Sequence, residues 1–588
     1  MSARWSYEKE QEKLLRLWEI SDNSSEVPEI LDEEPIESGS EGEFDDHVSQ
    51  RSEESDSEQE ILEDDIVEEF SPEVKSRYLW GVDKKTKWVA NPGNKAVRTR
   101  QENIIIHLPG PKGVAKEAKT PFDCWNIFID ELIIDSIVEC TNRLIQTKSE
   151  NYNDKSIVQQ TTALEMKALI GLLYMCGRFR ASRLNLDELW ASDGSGIDMF
   201  RATMPLKRFR FLLSCLRFDN KDSREERLKI DKLAPIRAIF DRFVENSQAA
   251  YVPSEYLTID EKLESFRGRC GFRQYIPNKP AKYGLKVFAL VDSKTFYVLN
   301  LEAYVGQQPE GPYALSNKPA DIVLRLVEPI RGTRRNITFD NWFTSYDLVI
   351  KLLKEYKLTS VGTLRKNKRE IPGELLTTKR EERSSKFAFQ SDVTLVSYIP
   401  KKNRNVLLLS TLHHDNTIDP DSRDQNKPEI IMFYNMTKGG VDTVDQLSAT
   451  YSVSRNSRRW PLTLFFSLLN SAAINAFVIF NCNTNENLKR RFFLKDLSLS
   501  LVKPFQMSRL QNPRISLAVR RKISDIQGEI VPTTVGEDTK RQRFSRRCYI
   551  CPRNKDRKSF YTCRACNKFV CLSHAAQTCD NCSSIDST

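Results

Sequence analysis

Histidine is nearly absent from this chain, with five in 588 residues. His47 and His107 fall in a polar N-terminal stretch, His413 and His414 in a loop-rich segment, and His574 among terminal cysteines. A Ser-His-Asp hydrolase or a histidine-dependent nuclease has little to work with. The "HHD" at His413 to Asp415 reads as a solvated loop. Cysteine is also thin, with six scattered before residue 548 and seven in the last 41 residues. Such clustering argues for metal binding in a reducing compartment and against a disulfide framework. The N-terminus, "MSARWSYEKEQEKLL", lacks the apolar run of a secretory signal. Only "PLTLFFSLLNSAAINAFVIF", Pro461 to Phe480, is long enough to span a bilayer. Ser467, Asn470, Ser471 and Asn475 interrupt it, so it is expected to be a buried core helix and no membrane partner is expected. No solenoid repeat is visible.

What is abundant is charge, unevenly placed. Residues 26–69 hold 20 acids and one arginine, and the rest of the chain carries 88 basic and 61 acidic residues, a net of +27. A body so charged expects a polyanion, and DNA or RNA is the obvious candidate. Residues 1–115 read as an acidic, disordered region, too poor in apolar surface to offset chain entropy. Helical spacing of apolar residues then marks 116–250, as in "FDCWNIFIDELIIDSIVECTNRLI" and "ALEMKALIGLLYMC". From 251 the period changes to two. "YLTIDEKL" sets Leu257 and Ile259 against Thr258 and Asp260, and "NITFDNWF" repeats the arrangement with Ile337 and Phe339 against Thr338 and Asp340. Strands alternating with helices over 251–369 and 433–505 predict a mixed α/β core. Residues 370–432 read as a β-rich insertion, 506–546 as a polar, basic connector, and 547–588 as a cysteine-rich domain.

The chemistry lies in acids. In "YNMTKGGVDTVDQL", Asp442 and Asp445 stand three apart on one helix face, where two like charges need a cation between them or solvation at the helix N-terminus. With Asp260 and Asp340 they form a set of hard oxygen donors suited to Mg²⁺, and two such ions can serve both oxygens of an in-line phosphoryl displacement. "RGRCGFRQYIPNKPAKYG" adds Arg267, Arg269, Arg273, Lys279 and Lys282, interleaved with Phe272, Tyr275 and Tyr283. Those types suit phosphate contact and base stacking, although a solvated basic hairpin looks the same. In "LKRFRFLLSCLRF", Lys207, Arg208 and Arg210 could also meet DNA, or belong to an ordinary amphipathic helix.

Five segments in this order, "LTIDEKLESFRGRCGFRQYIPNKPAKYG", "RNITFDNWFTS", "VGTLRKNKREIP", "YNMTKGGVDTVDQ" and "RRWPLTL", resemble the catalytic-core motifs of piggyBac transposases, the moth-type element above all. The resemblance covers roughly Pro121 to the C-terminus. It implies an RNase H-like catalytic domain whose three catalytic aspartates match Asp260, Asp340 and Asp442, with Asp445 matching a further acid. It also implies a nuclear, dimeric cut-and-paste DNA transposase using two Mg²⁺ ions, for which Mn²⁺ can substitute. Such an enzyme binds terminal inverted repeats, frees a 3′-OH, passes through a hairpin on the transposon end and joins TTAA target DNA. Arg365, Lys438, Arg458 and Arg459 are expected to contact DNA, and Trp460 matches a family tryptophan near the active site, otherwise a core aromatic. A domesticated relative that binds DNA or chromatin without transposing is the alternative, and a structure-selective nuclease a third.

The tail "CYICPRNKDRKSFYTCRACNKFVCLSHAAQTCDNC" offers four ligand pairs, enough for two tetrahedral zinc sites. By resemblance to cross-braced fingers, Cys548, Cys551, Cys571 and His574 would take one zinc, and Cys563, Cys566, Cys579 and Cys582 the other. Consecutive pairing remains open from spacing alone. The piggyBac family has the same terminal domain, which binds transposon-end DNA; a chromatin-reading or ubiquitin-ligase finger is the competing use.

Overall fold

The computed structural model describes residues 15–18, 49–50, 78–92, 104–105, 107–182, 184–277, 279–486, 488–528, 545–555, 557–563, 566 and 568–575. Most of the acidic block lies outside them. Two parts of the region expected to be disordered are nonetheless built into the fold. Trp18 is buried edge-on against Phe477, at a centroid distance of 4.6 Å. Strands β1 (Tyr78–Trp80) and β2 (Lys87–Val89) join the main sheet, with Trp88 buried and its indole N–H donating to the Glu370 carbonyl. These aromatics supply the apolar surface that the surrounding acidic sequence lacks.

The helical region begins with α1 (Pro121–Asn126), α2 (Glu131–Ser149) and α3 (Ala163–Arg178), followed by α4 (Leu206–Cys215) and α5 (Arg237–Ala250). Thr120, Asp130 and Thr162 cap the first three, each side chain accepting a backbone N–H of the first turn. This region belongs to the same compact unit as the sheet, which extends to Gln527. The Trp125 indole donates to the Tyr174 hydroxyl, which donates to the Leu469 carbonyl at 2.7 Å.

Among the described residues, a mixed sheet of twelve strands forms the centre. Strand β3 (Tyr256–Ser265) runs antiparallel to β4 (Tyr283–Asp292), and β4 antiparallel to β5 (Val298–Ala303). A crossover through α6 (Pro319–Val327) returns the chain to β6 (Asn336–Phe339), parallel to β3 on its other side. A second crossover, α7 (Tyr346–Lys354), leads to β7 (Thr359–Thr363), parallel to β6. Helices on the connections cover the parallel strands, and every residue of β6 and β7 is buried.

Residues 370–432 continue this sheet. Strands β8 (Ser385–Phe389), β9 (Thr394–Tyr398) and β10 (Val406–Ser410) form an antiparallel set in which β10 hydrogen-bonds to β7. The segment read as an insertion thus shares its sheet with the core, because the edge of β7 offers unpaired backbone groups. Its apolar face holds Val396, Tyr398 and Leu408 against Ile430 and Ile431 of α8 (Glu429–Thr437). The chain then enters α9 (Gly440–Thr450), α10 (Trp460–Thr484), α11 (Arg490–Leu510) and α12 (Leu517–Gln527).

Helix α10 is long and apolar enough to cross a membrane, and 94% of its most apolar 18-residue stretch is buried inside the protein, as expected of a core helix. Its polar interruptions are used. Asn475 bonds both the N–H and the carbonyl of Val298, and Asn470 accepts from the Val453 N–H. Helix α12 corrects the connector expected from 506: Ile523 is buried and Gln527 donates to Gln506, so the ordered fold extends past the boundary drawn from polar composition.

The expectation of a solvated "HHD" loop is also corrected. His413 packs edge-on against Phe433 at 5.1 Å and bonds Ser410 Oγ through Nδ1 at 2.9 Å. Burial lowers its pKa to about 4. The unfolded chain therefore binds a proton in a pH range where the folded chain does not. The resulting stability is complete above about 6.5 and is lost as pH falls towards 4. We expect wild type to lose about 1–2 kcal/mol more than His413→Gln between pH 7 and pH 5, measured by denaturant unfolding.

Candidate active site and metal cluster

Parallel pairing of β3 with β6 sets Ile259 opposite Phe339, so the next residues, Asp260 and Asp340, come side by side on strands about 4.8 Å apart. Two residues earlier on the same face, Thr258 donates to the Thr437 carbonyl at 2.6 Å, and Thr338 bonds the Thr437 hydroxyl at 2.7 Å. The end of α8 is thereby pinned across both acid-bearing strands, and α9 starts directly above them. Gly440 is required there: a Cβ would lie 2.6 Å from Thr258 Oγ1. Val441, Val444 and Leu447 turn inward. Asp442 is left in the first turn with its side chain 66% exposed, and Asp445 follows at 32%.

The electrostatics record this crowding. Burial, then the charges of Glu261, Asp340 and Asp442, push the Asp260 carboxyl well above the usual range against the pull of Lys279. Asp445 is raised to about 7, chiefly by burial, with Glu264 and Asp442 adding to it and Lys262 and Lys279 opposing. Lys279 Nζ stands 3.3 Å from Asp442 Oδ1 and donates to the Glu261 carbonyl at 3.1 Å. Despite the cost of burial, the surrounding acids hold its ammonium above the ordinary lysine value. Buried Lys262 lies 3.2 Å from Glu264 and 3.9 Å from Asp445. The carboxylates gather around lysines at one end of the strands and do not close into a tight ligand shell.

Sequence reasoning missed Lys262, Glu264, Thr437 and Tyr434. The first two were legible, since Thr258, Asp260, Lys262 and Glu264 share one strand face at period two. Tyr434 sits beside the acids, its phenol raised first by burial and then by Asp340, Asp260 and Asp442. Only tertiary docking brings it there.

The expected DNA-contacting residues divide by exposure. Arg267, Arg269, Lys282, Lys438 and Arg458 are exposed, whereas Arg273, Lys279 and Arg365 are half-buried. Arg459 and Trp460 correct the expectation. Arg459 is buried with its guanidinium on the Leu213 and Leu216 carbonyls, and Trp460 packs edge-on against Phe272 at 5.0 Å. Arg208 is likewise structural, forming a buried two-pronged pair with Glu165, while Arg210 pairs with Asp187 and Lys207 is exposed.

The second unit, Gly528–Thr588, stands on its own small core. Cys548, Cys551, Cys571 and His574 place one donor atom each within 4.8 Å of the others. The Cys551 and Cys571 sulfurs are 3.6 Å apart, and His574 Nδ1 is 3.5 Å and 3.3 Å from them. These spacings fit the edges of a tetrahedron around an ion with bonds of about 2.0–2.3 Å. The Cys571 N–H points at the Cys548 sulfur at 3.2 Å. Burial opposes ionisation of that thiol, but the backbone N–H groups of Cys571 and Cys551 and the His574 ring draw its pKa down to about 5. The group joins the first and third ligand pairs, as in a cross-brace. Cys563 and Cys566 fall outside this group, and Cys579 and Cys582 lie outside the described residues.

This acid group stands at the ends of parallel strands on a basic α/β body, and residues 120–477 match the family described as Transposase IS4. The structure is similar to that of a piggyBac transposase in a synaptic complex with hairpin DNA, at 36% identity and a TM-score of 0.69, covering 81% of this chain and 100% of that one. The chain belongs to the piggyBac-type transposase family. Human PiggyBac transposable element-derived protein 3 is 24% identical over 370 residues, and human PiggyBac transposable element-derived protein 2 is 23% identical over 386. The matches cover 60% and 63% of this chain and 60% and 62% of those relatives, under two thirds of their length.

Gly440→Ala forces α9 off the sheet. It is expected to cost about 1–3 kcal/mol in denaturant unfolding, while Gly439→Ala, whose Cβ meets nothing within 4 Å, costs less.

Proposed function

We propose that the protein is an active cut-and-paste DNA transposase whose RNase H-like core cleaves and joins DNA at Asp260, Asp340, Asp442 and Asp445. The observation that supports it best is the placement of Asp260 and Asp340 in register on adjoining parallel strands, with the helix bearing the other two acids pinned above them. The strand order β5-β4-β3-β6-β7, antiparallel over the first three and parallel over the last three, favours the RNase H-like reading.

The four carboxylates suit divalent cations: they are hard oxygen donors gathered at one end of the strands, where burial and then neighbouring acids push Asp260 and Asp445 upward. Mg²⁺, two ions with Mn²⁺ able to substitute, would supply Lewis acidity to the attacking and leaving oxygens. The protein's own residues position and neutralise. Lys279 offsets charge between Asp442 and the strand, and Lys262 holds Asp445 and Glu264. Exposed Arg267, Arg269, Lys282, Lys438 and Arg458 take backbone phosphates of the transposon ends and of a TTAA target. Cys548, Cys551, Cys571 and His574 hold a structural Zn²⁺, and Cys563, Cys566, Cys579 and Cys582 a second. The protein works in the nucleus as a homodimer. A DNA-binding role without transposition is the second reading, motivated by the human relatives named as element-derived proteins.

Excision of a marker flanked by the element's own ends tests this. Wild type should restore donors at TTAA and yield TTAA insertions, and Asp340→Asn should lower both at least about 10²-fold. Binding of the ends by wild type without cutting or joining would favour the second reading. In Cys571→Ser, zinc measured by mass spectrometry should fall by about one equivalent per chain.

A further inference from the structure

A cleft of about 430 Å³ lies away from the acids, lined by Arg178, Phe179, Arg180, Tyr451 and Arg491. Three elements build it: the C-terminal end of α3, the residue that ends α9, and the first turn of α11. They are rigidly tied. Gly177 lets the α3 backbone meet the Tyr451 carbonyl so closely that a Cβ would lie 2.6 Å from it. Arg490 donates to the Leu447 carbonyl at 2.7 Å, fastening α11 to α9, and Arg455 donates to the Ala181 and Leu184 carbonyls just beyond α3.

Among the described residues, three guanidinium groups border a common space and the lining holds no carboxylate. Aromatic rings set the direction of two of them: Arg178 lies over Phe179 at 4.8 Å, and Arg180 over Tyr451 at 5.5 Å. Among the described residues the buried Nε of Arg178 has no hydrogen-bond acceptor. Helix α11 brings its N-terminal turn without any acidic residue, so its dipole adds to the positive field. Basic residues at the end of α3 could serve only to satisfy that helix's own dipole. Arg180 argues otherwise, because it holds a left-handed backbone, φ 53°, at the position after the helix where glycine is the least costly residue. Arginine there has a conformational cost that glycine would avoid.

We propose that this cleft is a phosphodiester clamp gripping the backbone of the DNA on which the acids act. It rests on the DNA-handling reading above and extends it to residues outside the acid cluster. Tyr451 and Asp442 are joined by one helix and stand nine residues apart, about 13 Å along its axis and half a turn round it. A phosphate held by Arg178 and Arg180 would therefore be tied to the acid-bearing helix through a single element.

The test is fluorescence anisotropy of full-length protein in an Asp340→Asn background, which removes cutting from the measurement. Duplexes of the element's end and of scrambled sequence are titrated over a salt series, with inorganic phosphate as a separate competitor. Arg180→Gly, and Arg180→Gly with Arg178→Ala, should weaken binding to both duplexes and reduce the slope of log K against log salt by about one to two. Arg180→Gly should melt no lower than the parent, since glycine adopts that backbone freely, and Arg180→Lys should keep most of the slope. An unchanged slope in variants that melt like the parent overturns the proposal, as does a slope lost equally in Arg180→Lys. Competition by inorganic phosphate with no change in the DNA slope would assign the cleft to a free anion and also overturn it. Neither outcome depends on excision, so failure of the transposition reading and failure of the clamp are separate results.

Discussion

Thr437 joins the two strands on which the acid cluster depends. It receives Thr258 from one strand and bonds Thr338 of the next, two residues before the aspartate on each. A buried hydroxyl without a partner would be costly, so these bonds specify where α8 ends and α9 begins. Gly440 then removes the side chain that would hold the helix away. Four carboxylates from three separated stretches of chain become neighbours because one residue is satisfied by both strands at once.

Bringing like charges together has to be offset, and the offset is local. Lys279 and Lys262 stand among the acids, each nearer to one carboxylate than to the rest. A partly buried ion network of this kind adds little net stability, because desolvation and solvent screening consume most of the Coulomb gain. Its value lies in geometry: each lysine restrains an acid in a site whose donors also suit a divalent cation. The carboxyls of Asp260 and Asp445 stay raised despite both lysines, first by burial and then by the neighbouring acids.

Positive charge in this protein does two jobs, and burial separates them. Arg208, Arg455 and Arg459 are spent inside, on Glu165 and on backbone carbonyls at the ends of helices. Such ties are strong because the planar guanidinium matches several acceptors at once. They hold the helical region and α9 to α11 in one body with the sheet. The exposed arginines and lysines, together with the cleft at the end of α3, are what remains for a polyanion.

The candidate site is written in local patterns: the period-two faces of "LTIDEKL" and "NITFD", the i, i+3 acids after a glycine pair, and the paired cysteines are legible because each lies within one short stretch of chain. The sequence also contains the alternation that puts Lys262 and Glu264 on the strand face of Asp260. Tertiary structure alone decided which basic residues are free. Arg459 and Trp460 stand in a basic motif yet are buried, since their partners, Leu213, Leu216 and Phe272, lie far away in the chain. The same holds for residues 370–432, which continue the sheet because β7 has an edge to pair with, and for Trp18, which finds Phe477 across more than 450 residues. Local patterns fix which side chains share a face; which face meets which is set by packing between distant segments, and no window of sequence contains both sides of that contact.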